Sequence, residues 1–110
     1  MYSQPVSILA DGMSIGLLAT RFNVMPQGLG SVDVVLIYAR DVLAPAVVMN
    51  EFIKRFTDVE EAVRNTITVT SRDGTVSRYT CCVISSFSER VYSQDWAVIR
   101  DLQGVAVIGE

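Results

Sequence analysis

The stretch from Asn65 to Ser86, NTITVTSRDGTVSRYTCCVISS, constrains the fold more than any other part of this chain. Two arms rich in Thr, Val, Ile and Tyr flank Asp73-Gly74. β-Branched and aromatic side chains suit a pleated surface. Asp-Gly is a preferred two-residue hairpin loop because both positions tolerate positive φ. The segment predicts an antiparallel hairpin.

The same turn chemistry recurs near the start, where PVSILADGMSIGLLATRF reads as two strands about Asp11-Gly12. Gly16 in the second arm suggests a bulge or a close backbone approach. Strand alternation sets Leu9, Leu18 and Phe22 on a face opposite Val6, Ile8 and Leu17. A hairpin with one wet face would alternate polar with apolar. This one carries large apolar groups on both faces and is expected to be covered on both.

Between the hairpins, NVMPQGLGS (residues 23–31) reads as a loop punctuated by Pro26, Gly28 and Gly30. VDVVLIYAR then reads as a buried strand broken by RDVLAP. Pro45 suits the first turn of a helix, and Val48, Met49, Phe52, Ile53 and Phe56 follow at helical spacing. Thr57 and Glu60 form a capping-box pattern, which predicts a break at Thr57 and a restart running to about Asn65. After the second hairpin, SFSERVYSQ reads as a polar loop. DWAVIR and VAVIG read as two short strands about Leu102-Gln103-Gly104. The expected fold is one domain over residues 1–110, mainly β (α+β). It is an antiparallel β-sandwich or split barrel with one inserted helical segment at about residues 45–65.

Half of the residues are hydrophobic and only 19% are charged, with mean hydropathy +0.36. That is more apolar material than a lone domain of this size easily hides, and burial against another chain is the expected use of the excess. The longest apolar runs, VDVVLIYA and VLAPAVVM, are too short to span a bilayer as a helix. The first residues lack a basic n-region, and Asp11 interrupts any apolar core, so no secretory signal is expected. The chain is expected to work in the compartment where it is made. Net charge is −3, and Lys54 is the single lysine among nine basic residues scattered along the chain. Nucleic-acid binders concentrate basic residues, so DNA or RNA is not expected as the main ligand.

Cys81 and Cys82 are adjacent. In a regular strand their side chains point to opposite faces, Cys81 with Tyr79 and Val83, Cys82 with Thr80 and Ile84. A disulfide between them would distort the peptide. Zinc needs about four ligands, and the chain has no histidine. Both thiols are expected to behave as small buried hydrophobes.

The absence of histidine also removes the commonest general base and excludes Ser-His-Asp and Cys-His arrangements within this chain. Lys54 lies beside Arg55 on the polar face of the helical segment. Glu60 and Glu61 suit a helix first turn. QGLGS lacks the third glycine of a dinucleotide loop and the lysine of a phosphate loop. The reading is a protein without catalytic residues, cofactor, metal or small-molecule substrate. Tyr, Trp and Arg commonly anchor interfaces, and the candidate interface residues are Leu9, Leu18, Phe22, Phe87, Arg90, Tyr92 and Trp96.

This histidine-free, acidic, apolar-rich β domain with one helical segment resembles the small virion proteins of tailed bacteriophages, such as tail-tube, neck and head-completion subunits. The resemblance covers element order over most of the chain and implies a structural subunit that assembles into a ring or tube and enters a virion. The chain departs from tube subunits in lacking a long polar loop, residues 23–31 being the one stretch available for that role. The alternative reading is a small acidic inhibitory or regulatory protein that binds a single host partner. A third is an enzyme subunit completed by another chain.

Overall fold

Two long antiparallel strands, β4 (Val34–Pro45) and β8 (Trp96–Ile108), form the spine of the molecule and pair along nearly their whole length. The computed structural model describes residues 6–10, 15–26 and 34–108. The other strands are β1 (Val6–Ala10), β2 (Ile15–Ala19), β3 (Phe22–Pro26), β5 (Ile67–Thr70), β6 (Val76–Ser86) and β7 (Glu89–Ser93). On the free edge of β4, β3 pairs with its first half and β2 with its second. On the free edge of β8, β7 pairs with the first half and β6 with the second. β1 and β5 bridge β2 to β6 and close a six-stranded barrel, β4–β2–β1–β5–β6–β8, with β3 and β7 as two extra strands. The mainly β class expected from the sequence is correct, and the sheet closes into a barrel.

The spine bends at one level. Val35, Ile37 and Ala39 are buried, then Val42 and Ala44, so Arg40 and Asp41 point outward in succession. On β8, Ala97 and Ile99 are buried, then Leu102 and Ala106, with Arg100 and Asp101 turned away between them. Asp101 has φ +53°. The two parity changes face each other, since Asp41 pairs with Arg100 and Ala39 with Leu102. Each is a barrel corner, where an extra outward residue re-aims the strand without ending it. RDVLAP and Leu102-Gln103-Gly104 are therefore not strand breaks. NVMP belongs to β3 rather than to a loop, and SFSERVYSQ contains β7.

The hairpin predicted about Asp73-Gly74 is present as β5–β6, but its loop has three residues, not two. Ser71 N–H donates to Thr75 O (2.8 Å) and Gly74 N–H to Ser71 O (3.0 Å), with Gly74 at φ +91°. This is a turn followed by one left-handed glycine. β1 and β2 are antiparallel as expected, and Asp11-Gly12 lies outside the described residues. Gly16 makes neither bulge nor close approach: it pairs in register with Leu9, and a Cβ there would meet nothing within 4 Å. Gly104 holds that role, because a Cβ on it would lie 2.7 Å from the Val83 carbonyl oxygen.

Helix α1 (Ala46–Phe56) begins directly after Pro45 and buries Met49, Phe52 and Phe56 against the barrel. The break at Thr57 occurs as predicted, but the cap is different. The Thr57 hydroxyl donates back to Ile53 O (2.6 Å), while Asp58 caps the following 3-10 helix (Val59–Arg64) by accepting from Glu60 N–H. Buried Asn65 then ties this segment to β6. Its Nδ2 donates to Arg55 O and Cys82 O, each at 3.2 Å, and its backbone carbonyl oxygen accepts from Cys82 N–H.

Candidate functional site

Strand pairing lines up several of the exposed apolar residues, with half-buried Val98 among them, on the outer face of the α1 half of the sheet. Val91 on β7 pairs with Val98 on β8, Val98 with Leu43 on β4, and Leu43 with Leu18 on β2. Each flanking residue in the barrel strands is buried: Ala97 and Ile99, Val42 and Ala44, Leu17 and Ala19. Alternation therefore turns the four apolar side chains outward in one cross-strand row. Leu18 is 45% exposed, Leu43 36% and Val91 37%.

Leu9, also 45% exposed, lies diagonally beyond Leu18 across Ser7 and Gly16, which leave the space beside it open. On one flank Trp96, half-exposed, stands opposite Pro45 and Ser93. The other flank is polar. The Thr20 hydroxyl lies 3.4 Å from Asp41 Oδ2, Asp41 pairs with Arg100, and Arg100 Nε lies 3.2 Å from Glu89 Oε2. An apolar stripe edged by charge on one side and an aromatic on the other has the anatomy of a contact surface.

Leu9, Leu18 and Trp96 share this face. Phe22 does not join them. It packs half-buried against the core with its ring 6.1 Å from Tyr79, because the corner at Thr20-Arg21 shifts the alternation between β2 and β3. Phe87 also packs half-buried on the core. Arg90 and Tyr92 lie on the opposite face of β7, toward α1. The Arg90 guanidinium sits 5.7 Å from the Tyr92 ring centre, and the Tyr92 hydroxyl donates to Asn50 Oδ1. Leu43, Val91 and Val98 are not among the sequence candidates because they fall in stretches that read as a break, a loop and a short strand. The run Val42-Leu43-Ala44 carried the signal, since three apolar residues in one strand leave one facing out.

Outside this face, a cleft of about 310 Å³ is bordered by Asn23, Leu36, Tyr38, Ser85 and Gln103. At the corner beside it, Tyr38 Oη donates to Asp101 Oδ1 (2.7 Å) and the Ser88 hydroxyl lies 2.9 Å from Asp101 Oδ2. These bonds hold the Asp101 carboxyl below its ordinary range, the Tyr38 bond contributing most, and the same bond raises the Tyr38 phenol.

The thiols separate. Register against β8 slips between Thr80 and Val83, and Cys81 occupies the bulge at φ +53°, exposed. Cys82 points inward, and burial pushes its thiol up to about 12. The expectation that both are buried is thus corrected for Cys81, because a bulge rather than a regular strand holds the pair. Among the described residues no three His, Cys, Asp or Glu side chains gather into a metal-binding group. The chain matches no protein-family model, no curated protein and no solved structure.

Proposed function

We propose that this chain is a structural subunit without catalytic chemistry of its own, which assembles with copies of itself into a ring or tube, as a tail or neck component of a tailed-phage virion. The observation that carries the reading is the row Val91–Val98–Leu43–Leu18, extended by Leu9 and Trp96. Isolated exposed apolar residues are ordinary on any surface. A contiguous cross-strand row is not, and such patches mark association sites. The occupant proposed is another copy of the chain. The virion assignment draws on the resemblance in element order and composition.

The test is the mass and symmetry of the purified protein. Sedimentation over a wide concentration range should reveal closed or extended oligomers, and images of them should show repeated symmetry. A monomer at every concentration would overturn the assembly reading and favour a binder of one partner.

A further inference from the structure

β7 ends the sheet. Its one strand neighbour among the described residues is β8, and all five of its residues are exposed. An uncovered strand edge is a template for pairing with another chain. Natural edges are commonly guarded by inward charges, proline or a covering loop; β7 contains no proline, and its charged residues are held within the chain, Glu89 beside Arg100 and Arg90 over the Tyr92 ring.

We infer that two copies of this chain join edge to edge through β7, antiparallel about a two-fold axis at Val91. This inference rests on the self-assembly reading and specifies its first contact. A two-fold contact must be self-complementary, and the sequence Glu89-Arg90-Val91-Tyr92-Ser93 meets that demand at every position. With Val91 opposite its own copy, each Arg90 stands across from the other copy's Tyr92. An aromatic ring already attracts that guanidinium within one chain. Each Glu89 faces a Ser93 hydroxyl, which can donate to the carboxylate.

A two-fold axis perpendicular to the sheet keeps both outer faces on one side. The row Leu18–Leu43–Val98–Val91 then continues through the axis into the same row of the second copy, reversed. Edge pairing leaves this doubled apolar surface open for the next copy to cover. Two kinds of contact result from one chain: edge pairing makes the dimer, and the widened face joins dimers.

The experiment uses the whole chain with Val91→Lys and Val91→Asp, each alone and mixed in equal amounts, followed by sedimentation velocity and circular dichroism. Val91 lies on an exposed edge, so both variants should keep the native spectrum. Like charges directly opposite one another repel, and each variant alone should lose roughly tenfold or more in association constant, the equivalent of about 1.4 kcal/mol. The mixture should recover, because lysine then faces aspartate across the axis. Recovery in the mixture identifies a contact of residue 91 with its own copy.

No recovery, with a wild type that still associates, overturns the β7 pairing while leaving assembly intact. A head-to-tail contact between β7 and β3 would give that result, because residue 91 would then face a different position. Association unaffected by either variant overturns it too. A wild type that never associates defeats the assembly reading itself.

Discussion

Leu17 and Leu18 are neighbours in sequence with opposite environments, and replacing each by glutamate tests both the fold and the function. Leu17 is 2% exposed inside the barrel. Losing its burial costs about 1.5–3 kcal/mol, and a carboxyl placed in an apolar interior adds several more unless it is protonated. The sum is comparable with the whole stability of a typical domain, about 5–15 kcal/mol. Leu17→Glu should therefore leave little folded protein.

Leu18 is 45% exposed, so roughly half of its burial term is at risk and the carboxylate stays in water. Leu18→Glu should cost the monomer about 1 kcal/mol and shift a urea midpoint only slightly. Its effect should fall on association, which must now bury a charge. Urea titration followed by circular dichroism reads the first effect, and sedimentation the second. A folded Leu17→Glu or an unfolded Leu18→Glu would refute the assignment of the two faces. A folded Leu18→Glu that associates like wild type would refute the outer row as an interface.

Gly16→Ala and Gly104→Ala should differ in sign. The first adds a Cβ in open space and should stabilise by about 0.4–1 kcal/mol through the unfolded chain, whereas the second strikes the Val83 carbonyl at 2.7 Å and should destabilise by about 1–3 kcal/mol; chemical denaturation measures both. A thiol reagent should label Cys81 in the native protein and Cys82 only after unfolding, and Cys82→Ala should cost about 1–2 kcal/mol while Cys81→Ala stays within about 0.5. Because the folded-state pKa of Asp101 is lowered, its contribution is present above its unfolded value and is lost as pH falls through the lowered one. Asp101→Asn should therefore flatten the fall in urea midpoint between about pH 5 and about pH 2. Part of the fall should remain, because Asp73, lowered chiefly by the Thr75 N–H, still titrates. An unchanged slope would mean the Tyr38–Asp101 bond does not form.

The elements readable from the sequence were those whose signal is local. The β5–β6 and β1–β2 pairs follow from β-rich arms about short turns, and α1 follows from the spacing of Met49, Phe52 and Phe56. What escaped reading was the corner. At Arg40-Asp41 and Arg100-Asp101 the alternation skips one step while the backbone stays extended, because the pairing of β4 with β8 carries both strands through. A pattern that changes phase looks the same in sequence as a pattern that stops. The adjacent cysteines misled for the same reason: alternation through Cys81 assumes a regular strand, and the slip between Thr80 and Val83 is visible only against β8.

The apolar excess was legible as a quantity but not as a location, and the location changes its meaning. A core filled with the largest side chains would have absorbed it. Part of the inner surface is small instead: Ala10, Ala19, Ala39, Ala44, Ala97 and Ala106, with Gly104 buried among them. The large groups of the core are Ile8, Leu17, Ile37, Ile67, Ile84, Ile99 and Leu102 from the strands, with Met49, Phe52 and Phe56 from α1. Leu9, Leu18, Leu43 and Trp96 stand outside instead. At these four places a small residue lies inside and a large apolar one outside, the reverse of the usual order of a lone domain. The inversion is confined to no single strand, since β1, β2, β4 and β8 each present an alanine inward next to a large apolar group outward. A surface of that kind costs free energy in water on every strand that carries it. It becomes stabilising only when a second surface covers it, and in the assembly proposed above that surface would come from another copy of the chain.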